Sequence, residues 1–126
     1  MANPDAATIL IAEDEEAFAD ALQIKLENQG FNVRVAHNGR DAIRILKEAP
    51  IDLILLDLIM PVMDGFAVLE WLRSQKERNP KVIILSNLGQ EEDVRHAREL
   101  GAGEYFIKTE VPLEQIVSDV RSLLDH

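Results

Sequence analysis

The sequence predicts a doubly wound α/β domain, five parallel strands alternating with five helices, over residues 1–126 as a single unit. Three observations lead there. Short β-rich runs alternate five times with longer stretches whose apolar residues recur three and four positions apart. Most of the β-rich runs are continuously apolar rather than alternating, as strands covered on both faces require. The 126 residues, 47% apolar and 29% charged, supply one ordinary hydrophobic core and leave no length for a second.

The strand runs are Thr8 to Ala12, Phe31 to Ala36, Leu53 to Leu56, Lys81 to Leu85 and Glu104 to Ile107. Only the second alternates in polarity, which marks it as an edge. The helical stretches carry apolar stripes: Phe18, Ala21, Leu22 and Leu26; Ala42, Ile43 and Leu46; Phe66, Leu69 and Leu72; Val94, Ala97 and Leu100; and Leu113, Ile116, Val117, Val120 and Leu124. Gly30 and Gly101 are placed to end helices, Asp64 to cap the third, and Pro112 to sit in the first turn of the fifth. Right-handed crossovers wind this order into a sheet with helices on both faces, with strand order 2-1-3-4-5. Residues 1–7 read as a flexible leading segment, and no effector domain is expected, because the fifth helix runs to within a residue or two of His126.

Charge and composition narrow the function. With 23 acidic against 13 basic side chains the net charge is −10, opposite to the footprint that phosphate backbones select, so direct DNA binding is not expected. No apolar run approaches the roughly 20 residues that span a bilayer, and the first residues lack a signal-peptide pattern. The absence of cysteine excludes disulfides, thiolate chemistry and Cys-ligated metals. His37, His96 and His126 are scattered and suggest no metal cluster; Trp71 reads as a half-exposed helix residue, and Met60 and Met63 as packing around Pro61. A cytoplasmic domain is the resulting expectation.

In a doubly wound sheet, ligands bind beyond the carboxyl ends of the strands, where the strand order reverses. Here those ends are polar on four adjacent strands: Glu13-Asp14, Asp57, Ser86-Asn87 and Lys108. Each has an ordinary explanation alone. Acids at a helix start favour its dipole, an Asp after a strand makes a turn, a Ser donates in a loop, and a Lys is solvated. Joint placement is what points to chemistry. Three carboxylates in one crevice repel one another and call for a hard divalent cation such as Mg²⁺, with Mn²⁺ able to substitute. Lys108 and Ser86 would then serve the oxygens of a phosphoryl group, and an Asp is a competent nucleophile toward phosphorus.

The stretches ILIAEDE, LILLDLIMPVMDG, IILSNLG and AGAGEYFIK together resemble the receiver domains of two-component response regulators, over essentially the whole chain. DLIMPVMDG follows the family pattern D-x-x-M-P-x-M-D-G. The resemblance implies a flavodoxin-like, CheY-like fold, on which the strand order above partly rests. It implies Asp57 as phosphoacceptor. Mg²⁺ would be bound by Asp14 directly, Glu13 through water, Asp57, and the Ile59 backbone carbonyl. Ser86 and Lys108 would contact the phosphoryl group, and Ser86 and Tyr105 would form the switch. The implied donor is a phosphohistidine on a histidine kinase or phosphotransfer protein. The implied output is a downstream protein target or a homodimer, through the surface of the fourth helix, fifth strand and fifth helix. Such a domain is a signalling module that assists its own phosphorylation and autodephosphorylation, rather than an enzyme. Thr109 stands where the family has a cis proline, and a trans Lys108–Thr109 bond is expected, since cis without proline costs about 3–4 kcal/mol. Asn87 replaces a usually small residue.

Two other functions share parts of this pattern. A flavodoxin-like electron carrier is equally small and acidic but needs a Ser/Thr/Gly-rich phosphate loop after the first strand, where Glu13 to Glu16 would repel the cofactor. An aspartyl-phosphate phosphatase wants a second acid two residues beyond the nucleophile, and that position is Ile59.

Overall fold

The continuous apolar runs form the interior of one sheet and the striped segments cover it. The computed structural model describes residues 5–77 and 79–125. In chain order the elements are β1 (Thr8–Ala12), α1 (Glu16–Asn28), β2 (Asn32–Ala36), α2 (Gly39–Glu48), β3 (Leu53–Leu56), α3 (Gly65–Ser74), β4 (Lys81–Ser86), α4 (Glu91–Glu99), β5 (Glu104–Ile107) and α5 (Leu113–Leu124). The strands pair in parallel in the order β2-β1-β3-β4-β5, the expected doubly wound arrangement.

Period-two alternation sorts the core into two layers. Leu10, Ile54, Leu56 and Ile84 point to the side covered by α2, α3 and α4, and pack with Ala42, Ile45, Val68, Leu69 and Ala97. Ile9, Ile11, Leu53, Leu55, Ile83 and Leu85 point to the other side, against Ala19, Leu22, Leu26, Ile116 and Val120 of α1 and α5. Because β1, β3 and β4 are buried on both faces, each central Ile or Leu contributes about 1.5–3 kcal/mol of transfer free energy. Trp71 is half-buried against the first layer, with the Lys47 ammonium 5.9 Å from its ring centre.

The helix ends follow their sequence signals with one exception. Asp64 caps α3 by accepting from the Ala67 amide, and Asn38 caps α2 by accepting from Asp41. Gly30 (φ +94°) and Gly101 (φ +107°) end α1 and α4 in the same pattern. In each, the glycine amide and the next one reach back to carbonyls of the last turn. Pro112 is the cap of α5 and not a first-turn residue: its backbone is extended (ψ 152°), and its carbonyl accepts from the Gln115 and Ile116 amides.

A second correction concerns β5. Its apolar run resembles a strand covered on both faces, yet strand order makes it an edge, so Glu104 is exposed and Tyr105, Phe106 and Ile107 are only half-buried. Of the expected leading segment 1–7, residues 1–4 lie outside the described residues, as does His126. Within the remainder, the carbonyls of Ala6 and Ala7 accept hydrogen bonds from Asn32.

Candidate functional site

The crossover from β1 to β2 runs on one face and that from β2 to β3 on the other, which opens a crevice beyond the ends of β1 and β3. Ala12 pairs with Leu56, and the ladder continues one step further through the Asp57 amide to the Ala12 carbonyl (3.0 Å). Glu13 and Asp57 therefore stand side by side at the crevice floor. Only 2% and 5% of their surfaces are exposed, whereas most carboxylates among the described residues lie open to solvent.

One carboxylate oxygen from each of Glu13, Asp14 and Asp57 lies within 4.8 Å of the other two. Asp57 Oδ1 accepts from the Ile59 amide at 3.1 Å, which fixes the carboxylate against the loop after β3. Its Oδ2 is 3.5 Å from the Lys108 ammonium. Glu13 Oε2 accepts from the Glu15 amide (3.0 Å), while Oε1 is 2.8 Å from Lys108 but misaligned, so this buried oxygen has no directed hydrogen bond. Burial pushes the Glu13 carboxyl from 4.5 up to about 7; the Lys108 contact and the Glu15 amide oppose the shift, and the negative charge of Asp57 adds to it. For Lys108 burial acts to lower the pKa, but the carboxylates of Glu13, Glu15 and Asp57 outweigh it and hold the ammonium charged.

An all-oxygen donor set, with one buried carboxylate oxygen that has an ion pair to Lys108 but no directed hydrogen bond, suits a small hard divalent cation. The Lys108–Thr109 bond is trans, as no cis peptide occurs among the described residues. The chain turns directly behind it, the Glu110 amide bonding the Ile107 carbonyl, and Lys108 still reaches the crevice.

Ser86 and Tyr105 belong to a neighbouring assembly. Ser86 is fully buried at the end of β4, in phase with the residues that face α2 to α4, and its Oγ accepts from the Leu88 amide at 3.3 Å rather than contacting Asp57. The Tyr105 hydroxyl donates to the Leu88 carbonyl. Burial, then Asp93 and Asp57, raises the Tyr105 pKa to about 12, so the phenol keeps the proton it donates. Leu88 is thus the backbone node joining the two.

Four contacts were not read from the sequence. Glu15 pairs with Lys108, although its position suggested only a helix-dipole acid. The Phe18 ring lies 4.8 Å from the same ammonium, a placement that apolar patterning alone does not reveal. His37 donates from Nδ1 to the Glu13 carbonyl (2.9 Å), and His96 stacks on Phe66 with ring centres 4.7 Å apart, so both histidines have structural roles.

Comparison with known proteins decides the family. The model of the response regulator receiver domain matches residues 9–121. This chain belongs to the response regulator receiver domain family. The receiver domain is 34% identical over 116 residues, 92% of its length, to the uncharacterized transcriptional regulatory protein YkoG of Bacillus subtilis (strain 168), covering 50% of that protein. It is 34% identical to the response regulator GtcR of Aneurinibacillus migulanus, over 86% of this chain and 44% of that one. The chain spans about half the length of the curated relatives it matches. Among solved structures, the receiver domain of a Francisella response regulator superposes with a TM-score of 0.85 at 29% identity, covering 93% of this chain and 95% of the other. The signal receiver domain of a signal transduction histidine kinase from Syntrophus aciditrophicus gives 0.86 at 36% identity, covering 95% and 91%. Membership in this signalling family displaces the electron-carrier and phosphatase alternatives. No helix among the described residues is long and apolar enough to cross a membrane.

Proposed function

We propose that this receiver domain takes a phosphoryl group onto Asp57 from a phosphohistidine of a histidine kinase or histidine phosphotransfer protein. It then signals through α4, β5 and α5 to a downstream protein or a second copy of itself. The observation that carries this reading is the buried Asp57 carboxylate, set 3.5 Å from a buried ammonium and clustered with two further acids. Holding the like charges of Glu13 and Asp57 out of water costs stability, so the arrangement is explained by chemistry rather than by folding.

In the reaction, an Asp57 oxygen forms the new O–P bond as the donor's P–N bond breaks, and the electron pair returns to the imidazole nitrogen. Phosphoryl transfer depends mainly on in-line positioning and charge neutralisation. The Ile59 amide orients the nucleophile, and Lys108 supplies a point charge for a phosphoryl oxygen. Mg²⁺, or Mn²⁺ in its place, held by Glu13, Asp14, Asp57 and the Ile59 carbonyl, would supply the remaining charge stabilisation. The Ser86 hydroxyl is the mobile donor that turns toward the phosphoryl group, and Tyr105 follows it.

Intact-mass measurement after incubation with Mg²⁺ and a small acyl phosphate tests the assignment. One phosphoryl increment is expected on the wild type and none on Asp57→Asn. Equal and equally stable labelling of that variant would place the acceptor elsewhere.

A further inference from the structure

Lys108 has more anionic partners than phosphoryl chemistry requires. Its ammonium, with a side chain 6% exposed, pairs with Glu13, Glu15 and Asp57, and Asp57 is the most distant of the three. The partners differ in what they lose if the lysine leaves. Glu13 is buried, and water cannot replace the cation there. The Glu15 side chain is 61% exposed, so water solvates it at little cost once the pair opens.

Glu15 is also placed for this contact at the expense of its local role. It occupies the N-cap position of α1 but makes no side-chain capping bond. Its amide is tied to Glu13 Oε2, which holds the backbone over the crevice, and its carboxylate reaches Lys108 from the solvent side. Phe18, two residues into α1, presents its ring 4.8 Å from the same ammonium. The lysine is therefore held between an aromatic face and an anion that reaches in from solvent.

We propose that Glu15 is a latch on Lys108. In the unphosphorylated domain it engages the ammonium group that Asp57 needs once phosphorylated. This regulation rests on the reading of Asp57 as phosphoacceptor. Phosphorylation adds roughly −1.5 to −2 charge and three acceptor oxygens beside Lys108, and the lysine then exchanges its solvent-side partner for the phosphoryl group. Glu15 releases because it is the partner that water replaces. As a positioning residue it sets how readily the domain is phosphorylated, without touching the phosphoryl group.

The experiment compares wild type, Glu15→Gln, Lys108→Ala and the double variant. It measures phosphorylation rate with acetyl phosphate at saturating Mg²⁺, together with hydrogen exchange of the Lys108 ammonium by ¹⁵N-edited NMR on the unphosphorylated chains. Glu15→Gln is expected to speed phosphorylation about two- to fivefold, the range an exposed ion pair is worth. It is also expected to speed ammonium exchange, and to add no acceleration in the Lys108→Ala background. An unchanged rate or unchanged exchange in Glu15→Gln overturns the latch. So does the same acceleration without Lys108, which would show simple repulsion of the anionic donor. Failure of the wild type to gain a phosphoryl group at Asp57 is a different result, and overturns the phosphoacceptor reading itself.

Discussion

Glu13 illustrates how a single buried side chain links folding to pH. Its carboxyl is raised from 4.5 to about 7, chiefly by burial. Between those values the native state binds more protons than the unfolded chain, so stability falls as pH rises from about 4.5 through 7. Lys108 remains charged across this window and does not contribute to the slope. With divalent metal removed by chelator, denaturant unfolding is expected to show roughly 1–3 kcal/mol less stability at pH 8 than at pH 5 from this group, and Glu13→Gln to lose that slope. A parallel pH profile for the two proteins would disprove the assignment. Val62 carries a different local cost. It is a β-branched residue with φ of 68°, 68% exposed, at the centre of a turn closed by the Met63 amide and the Pro61 carbonyl (2.7 Å). Its side chain gains little from burial to offset that conformation. Val62→Asn is expected to stabilise the domain by about 1 kcal/mol in equilibrium unfolding; a neutral or destabilising result would mean the loop tolerates valine without strain.

Elements meet the site through close backbone approaches. A Cβ on Gly65 would lie 2.3 Å from the Asp57 carbonyl oxygen and 2.8 Å from Leu58 Cα, both backbone atoms that cannot swing away. The first turn of α3 therefore rests directly on the backbone of Asp57 and Leu58. Gly39, at the start of α2, approaches Met63 in the same way and donates its amide to the Met63 carbonyl. Gly65→Ala is expected to cost at least about 2 kcal/mol, and to slow Asp57 phosphorylation even at temperatures where the variant is fully folded. Stability and rate within error of wild type would show that α3 can shift freely. These elements also mark what a sequence discloses. β1, β3 and β4 are legible because burial on both faces demands uninterrupted Ile, Leu and Val, and α1 to α5 because each has one apolar stripe. The acids, Ser86 and Lys108 are legible as a group because strand ends in a parallel sheet share one edge. Glu15 is not, since a flexible, exposed carboxylate can reach several neighbours and only tertiary placement of Phe18 and Lys108 selects one. Pro112 likewise satisfies either of two adjacent positions at a helix start, and the path of the chain from Lys108 decides between them.

Across the whole molecule, the two layers divide the work. Glu13, Asp57 and Lys108 gather at one crevice, while Ser86, Leu88 and Tyr105 connect its neighbouring edge to α4 and β5. Ser86 stands at the end of β4 between these groups, and its hydroxyl accepts from the Leu88 amide. If that hydroxyl turns to a phosphoryl oxygen on Asp57, Leu88 loses its partner, the segment before α4 shifts, and Tyr105 loses the carbonyl that anchors its hydroxyl. The surface next to these residues carries mixed charge: Arg95 lies 3.7 Å from Glu99, Arg98 and Glu104 are exposed, and a groove of about 600 Å³ runs along α4 beside Val94. A coupling of about 1–3 kcal/mol between the two ends suffices to change partner affinity 5- to 150-fold. With Mg²⁺ and fluoroberyllate as the phosphoryl mimic, faster exchange of the Leu88 amide is expected, with chemical-shift changes through Tyr105, α4 and α5. Ser86→Ala is expected to bind the mimic yet confine the changes to the crevice, which separates a lost relay from a lost site. Spectra of the wild type in which only Glu13, Asp14, Asp57 and Lys108 respond would show that the Leu88 node does not carry the signal.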